Sequence, residues 1–293
     1  MRHLLRTAGA AALVSLSAAA LAPLGALQAS AQQQEAPATD ESFDRLYEAL
    51  LMPQMLAVMR EEGLVYGETM AEEMLPGGAD AGWAAQVSEI YEIERLEEAM
   101  RTGMRAALDE AQAQAAAEFF TSEPGQSLAE CELEARRDFL DPEVEARAKE
   151  EAALALADEA PRMALIDSLI EAGDIIEQNV AGGLNANVAF FTGLMQGGAG
   201  SSGGVVDEGA ILSQAWAQEP VLRQATTTWA YAFLDYAYAP IEDEALEQYE
   251  VFYRSDAGRA LNQASFEAYD AMSTQISRAL GLALAERIGG QEI

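Results

Sequence analysis

The segment FFTSEPGQSL, Phe119 to Leu128, returns 133 residues later as FYRSDAGRAL, Phe252 to Leu261. Four positions are identical: Phe119/Phe252, Ser122/Ser255, Gly125/Gly258 and Leu128/Leu261. In each version a helix carrying the phenylalanine is predicted to end, and Ser122 or Ser255 is placed to cap the next helix through its hydroxyl. An acidic residue then occupies the positive first turn, and Pro124 sits where a missing amide hydrogen costs little. Glycine at the third position marks a spot where a neighbouring helix or the aromatic pair leaves no room for a side chain. The motif reads as a helix-to-helix corner. A phosphate-binding loop would need more glycine and a lysine, whereas here a single glycine stands near an acid.

The similarity extends outward from the two corners. Trp83-Ala84 matches Trp216-Ala217 at the same spacing, and residues 43 to 79 match those 120 positions later. There Phe43 pairs with Met163, Leu46 with Ile166, Leu50 with Ile170 and Leu56 with Ile176. The interruptions pair too: Pro53 with Gly173, Gly63 with Gly183, and Gly77-Gly78 with Gly197-Gly198. The change of offset is assigned to a flexible loop around Gly200-Ser201-Ser202-Gly203-Gly204. Apolar spacings of three, four and seven predict helices.

One stretch is ambiguous taken alone. Thr226 to Phe233 alternates like a strand, but its counterpart, Ile93 to Met100, has helical periodicity. The later copy is therefore expected to be a helix, with Trp229, Phe233 and Tyr236 on one face and Tyr231, Leu234 and Tyr238 on another. A helix apolar on both faces belongs in the middle of a fold. Breaks are expected at Gly63, Gly77-Gly78, Pro142, Pro161, Gly182-Gly183, Pro220 and Pro240. The expected architecture is all-α: an internally duplicated helical bundle whose pseudo-symmetric halves, residues 43–157 and 158–293, pack about a pseudo-twofold axis.

Residues 1–31 read as a secretory signal peptide. Arg2 and Arg6 form a positive start, Ala8 to Leu24 is uncharged and apolar, and Ala29-Ser30-Ala31 supplies a cleavage site after Ala31. Residues 32–42, rich in Gln, Ala and Pro at their start, read as a flexible leader. The expected location is the periplasm, with no direct membrane insertion after signal cleavage.

Scarcity limits the chemistry. The chain has 49 acidic residues against 17 basic ones, a single histidine, His3, which leaves with the signal, a single cysteine, Cys131, and a single lysine, Lys149. Such acidity repels nucleic acid, whose binding relies on basic groups displacing counterions. Serine or cysteine hydrolases that use histidine as base, and histidine-ligated metals, lack an ingredient. Structural disulfides and zinc thiolate sites need more than one cysteine. Cys131, whose counterpart is Ala264, reads as a small buried residue, and Lys149 as part of a charged surface. Carboxylate pairs are too numerous to single out without geometry. Met52, Met55 and Met59 share a helical face that could hold copper(I), but core packing is the preferred reading. No cofactor is expected.

Tyr249, Phe252, Tyr253, Ser255, Gly258 and Leu261 follow the pattern Y-x-x-F-Y-x-S-x-x-G-x-x-L. Phe119, Phe120, Ser122, Gly125 and Leu128 fill a second version, with Ala116 in the tyrosine position. In these residues, within 241–270 and around the earlier corner, the chain resembles the domain-of-unknown-function 2059 family of exported bacterial proteins. The resemblance implies a helical fold and an envelope location, and brings no activity, cofactor or catalytic residue. Where family members often carry lysine after the motif glycine, this chain has Gln126 and Arg259.

The functional expectation is a non-catalytic helical protein of the cell envelope, an accessory or interaction scaffold for another envelope protein. The alternative is a module that binds an apolar or aromatic small molecule or lipid between the halves, with Trp216, Trp229, Phe233 and Tyr236 as the candidate pocket.

Overall fold

The computed structural model describes residues 37–202 and 208–290. In chain order the first helices are α1 (Asp40–Ala49), α2 (Met52–Met74), α3 (Ala81–Ile90), α4 (Ile93–Ala107), α5 (Glu110–Phe120), α6 (Gly125–Asp138) and α7 (Pro142–Ala157). They are followed by α8 (Pro161–Ala172), α9 (Ile175–Ser202), α10 (Glu208–Trp216), α11 (Glu219–Tyr238), α12 (Asp243–Tyr253) and α13 (Asp256–Gly290). The fold is all-α among the described residues; the β-type pairing there is an isolated bridge between Pro37 and Asp109.

Prolines mark where helices begin. Pro142 and Pro161 open α7 and α8, and Pro53 and Pro220 lie in the first turns of α2 and α11. A fixed φ and a missing N–H suit these positions. Asp80 and Asp109 cap α3 and α5 by accepting the backbone N–H groups of Trp83 and Gln112. The ambiguous stretch from Thr226 to Phe233 is helical, inside α11.

Several expected breaks are absent. Gly63 lies within α2, and Gly182-Gly183 and Gly197-Gly198 lie within α9, so packing keeps these helices continuous despite the low helix propensity of glycine. The interruption expected at Gly173 is present: it separates α8 from α9, and the next residue, Asp174, has φ 50. Leu51, between α1 and α2, has φ 54. Gly200, Ser201 and Ser202 continue α9, while Gly203 and Gly204 of the expected loop lie outside the described residues. The same holds for the signal segment and residues 32–36 of the leader. The end of the leader is structured: Thr39 caps α1, Ala38 is buried, and Glu110 accepts hydrogen bonds from Thr39 N–H and the Ser42 hydroxyl.

The two corners differ in their capping. Ser255 Oγ accepts the Gly258 N–H at 3.0 Å and caps α13 as expected. Ser122 does not cap: α6 begins at Gly125 behind Pro124, and the Ser122 hydroxyl donates back to the carbonyls of Glu118 and Phe119. The glycines behave alike. A Cβ on Gly125 would overlap the Phe119 carbonyl, and one on Gly258 would overlap that of Phe252. Each corner is so tight that the new helix starts against the backbone that ended the last one.

Helix α1 packs on α5, and α8 packs on α12. Helix α2 carries α3, α4 and α6, while α9 carries α10, α11 and α13. Across the middle, α4 lies on α13 and α6 on α11. Helix α7 covers α11. The main core draws residues from both parts of the chain, including Phe43, Leu46, Met100, Met104, Leu128, Ile166, Phe233 and Leu261. A smaller cluster around Trp83 and Tyr91 joins α2 and α3 to the end of α13. The methionines serve this packing, with Met52 and Met59 buried in the main core alongside Met100 and Met104.

Candidate functional site

At the centre of the fold the corner motif meets itself. Phe119 stacks on Phe252 with ring centroids 4.2 Å apart and planes 10° from parallel, and Phe120 stands edge-on to Phe252 at 5.5 Å. Tyr249 stacks beyond, 5.9 Å from Phe119. Leu128 and Leu261 are buried one turn into the helices that follow. These motif residues are core, joining the two parts of the chain, and none of them lines either cavity described below.

Behind the stack lies a phenol cluster around one carboxylate. Tyr238 and Tyr249 donate to Glu132 Oε1 at 2.6 and 3.1 Å, and Tyr253 donates to the Tyr249 hydroxyl at 2.8 Å. Burial raises the Glu132 carboxyl above its ordinary 4.5, and the hydrogen bonds from Tyr238 and Tyr249 offset only part of that. The three phenols are raised well above 10 by burial and by Glu132, so they stay protonated donors.

A folded carboxyl that titrates above its unfolded value binds more protons in the native state. Stability therefore falls as pH rises from about 4.5 through the folded pKa. Glu132→Gln keeps an acceptor for both tyrosines and removes the titration. Melting temperatures of the two proteins from pH 4 upward should show the wild type losing ground to the variant across that window. Parallel curves would mean that Glu132 is not held in this protonation balance.

One cavity is a partly open cleft of about 700 Å³. Its walls come from α2 (Met59, Glu62, Tyr66), α9 (Gln178, Asn179, Gly182) and α11 (Leu222, Trp229), with Arg136, Phe139 and Tyr91 from α6 and the ends of α6 and α3. The floor is one face of α13, where Gln263, Phe266, Glu267, Asp270, Ser273 and Ser277 recur at helical spacing. Elements from both parts of the chain build it.

Arg136 is 4% exposed, yet it belongs to this wall. Its Nε and Nη2 donate to Glu62 Oε1 and Oε2 at 3.0 and 2.6 Å, a bidentate pair between α6 and α2. Burial alone would lower the Arg136 pKa, but the charge and hydrogen bonds of Glu62 outweigh it and hold the guanidinium above its ordinary range. Tyr269, beside the pair, donates to Met52 Sδ at 3.9 Å. Burial raises the phenols of Tyr66, Tyr91 and Tyr269, so the aromatic wall is neutral. Toward the opening, Asp270 accepts from Asn185 Nδ2 and Glu267 from Gln263 Nε2.

Of the four aromatic residues expected to share a pocket, only Trp229 lines this cleft. Phe233 stacks behind it at 4.7 Å and is buried in the core. Tyr236 donates to Asp138 and lines a second cavity of about 560 Å³ with Cys131, Arg162 and Asp235. Trp216 ends α10 and is 64% exposed, whereas its sequence partner Trp83 is 1% exposed in α3. The tryptophan match therefore does not survive as a shared environment. Cys131 is half-buried, not fully enclosed as expected, with its thiol pKa raised by burial and by the neighbouring carboxylates. Lys149 pairs with Glu145 at 2.6 Å on α7.

Glu62, Arg136 and the α13 face escaped sequence reading. Arg136 falls at helical spacing from Ala129 and Leu133 on the buried face of α6, and that spacing was the available signal. Its partner lies 74 residues away. Among the described residues, no group of three or more histidine, cysteine or acidic side chains is placed to hold a metal ion, and no helix is long and apolar enough to cross a membrane. Comparison with protein-family models, curated proteins and solved structures finds no match.

Proposed function

We propose that the protein is an exported, non-catalytic binding module of the bacterial envelope that takes an apolar or aromatic small molecule in the cleft between its two halves. The observation that carries this reading is the cleft itself. Its volume is in the range of small-molecule sites, and aromatic and aliphatic side chains line it together with charged, amide and hydroxyl groups. Of the two functions expected from sequence, an interaction scaffold and a binding module, the cleft favours the second.

Gly182 provides the test. It lines the cleft inside α9, and a Cβ there meets only Asp270 Oδ1 at an ordinary 3.6 Å. Gly182→Phe should place a ring inside the site and reduce uptake of an apolar fluorophore at least tenfold. Stability should hold or rise by about 0.3 kcal/mol, because phenylalanine is only slightly better than glycine in a helix. Unchanged uptake by a folded Gly182→Phe protein would defeat the proposal.

A second reading, docking onto an envelope protein, is favoured by the surface of α10 and the start of α11. Leu212, Trp216 and Val221 are 48%, 64% and 53% exposed there. Photo-crosslinking from position 216 in cells should capture a discrete partner, and a ladder of unspecific products would count against it.

The duplicated architecture is part of the proposal. Helices α1 to α6 and α8 to α13 follow the same order of packing partners, and α5 and α12 are equal in length at the 133-residue offset. The self-stacking of Phe119 on Phe252 is what a twofold axis would produce. Leu51 and Asp174, both left-handed, suggest an offset of 123 in the earlier stretch, three residues from the apolar match. Relationship to the domain-of-unknown-function 2059 family rests on the two motifs.

A further inference from the structure

Resting on the binding reading above, we infer that the cleft selects an organic cation with an apolar body, such as a hydrophobic amine or quaternary ammonium. Among the described residues Arg136 is the one cationic side chain in the wall, and its charge is matched by the bidentate Glu62. Glu145 is matched by Lys149. Exposed Glu267 and half-buried Asp270 have only the neutral amides of Gln263 and Asn185 as partners, so two carboxylates toward the opening of the cleft have no cation among the described residues. They stand on the same face of α13 as Phe266 and share the cleft with the indole of Trp229.

Negative groups beside aromatic faces form the chemistry that attracts an ammonium, through both Coulomb attraction and the ring quadrupole. An anionic head would instead share the cleft with carboxylates that outnumber the guanidinium. The strongly acidic chain, at −32, adds a long-range field of the same sign. A neutral apolar molecule gains the walls but not the carboxylates.

Titration calorimetry on the purified exported protein separates these cases with three probes of equal chain length: decyltrimethylammonium, decanol and decanoate, each below its micelle concentration. The cation should bind about tenfold tighter than the alcohol, equivalent to ~1.4 kcal/mol. The carboxylate should bind weakest, and the preference for the cation should shrink as salt is raised. The double substitution Glu267→Gln with Asp270→Asn should bring the cation to the affinity of the alcohol and leave the alcohol unchanged. Equal binding of cation and alcohol by the wild type would overturn the charge inference while the cleft reading stands. Tighter binding of decanoate, lost in Arg136→Gln, would overturn it in favour of an anionic head. If none of the three binds, the cleft reading fails with it.

Discussion

Gly281→Val should be among the most destabilising single substitutions in this protein, lowering stability by about 3 kcal/mol or more and the melting temperature by roughly 6–12 °C. Helices α9 and α13, the two longest, meet along nearly their whole shared length. Where they cross, backbone touches backbone. A Cβ on Gly281 would overlap the Phe190 carbonyl and lie 2.8 Å from Leu194 N, and one on Gly193 would overlap the Arg278 carbonyl. A flexible side chain could rotate away, but a carbonyl fixed in a helix cannot, so the helices must separate. Gly198→Ala is the control: a Cβ there meets nothing within 4 Å, and the same helix should gain about 0.5–1 kcal/mol from losing a glycine. Circular dichroism melts of the two variants should therefore shift in opposite directions. A mild effect at Gly281 would show that the crossing can relax.

Glu62→Ala should cost about 3 kcal/mol, because it strands the guanidinium of Arg136 in a wall that leaves it almost no water. Arg136→Ala should cost a similar amount. The double replacement Glu62→Leu with Arg136→Met should recover most of either loss, since the expense lies in the unpaired charge and not in the missing contact. Denaturant unfolding of the four proteins gives the coupling directly. Additive losses would show that each side chain is solvated independently and that the pair is not a fixed wall of the cleft.

These two predictions lie at different distances from what the sequence discloses. Gly281 and Gly193 are visible as glycines in helical stretches, and the expected breaks at Gly182-Gly183 and Gly197-Gly198 show how such residues mislead. Glycine permits a turn, but it equally permits two helices to touch, and nothing local distinguishes the uses. The crowding at the corner-motif glycines is legible because the obstruction is local: the carbonyl that leaves no room is only six residues back, at Phe119 or Phe252. Ser122 failed as a cap for a similarly local reason, since Pro124 stands at the start of α6 and moves the first turn beyond its reach.

The candidate pocket shows the opposite limit. Trp229, Phe233 and Tyr236 do share α11, as their spacing required, yet they serve a cleft, a core and a second cavity in turn. Helical spacing states which residues point the same way, and only the neighbours of α11 decide what each one meets. Trp216, expected beside them as one more aromatic residue near the interface of the halves, ends on the surface.

From the chain alone came the helical class, the starts set by prolines, the helix over Thr226 to Phe233, and the list of chemistries for which ingredients are missing. All of these depend on residue type or on relations within a few turns. Tertiary structure alone decided how the two parts of the chain meet, because an apolar pattern recurring every three or four residues fixes which face of a helix is buried and not which helix covers it. It also decided which faces open into the cleft, where Arg136 meets Glu62 across 74 residues and Tyr269 meets Met52 across 217. Such pairs are chosen by how whole helices pack, and the energy that selects them is spread over the core instead of being written at either position.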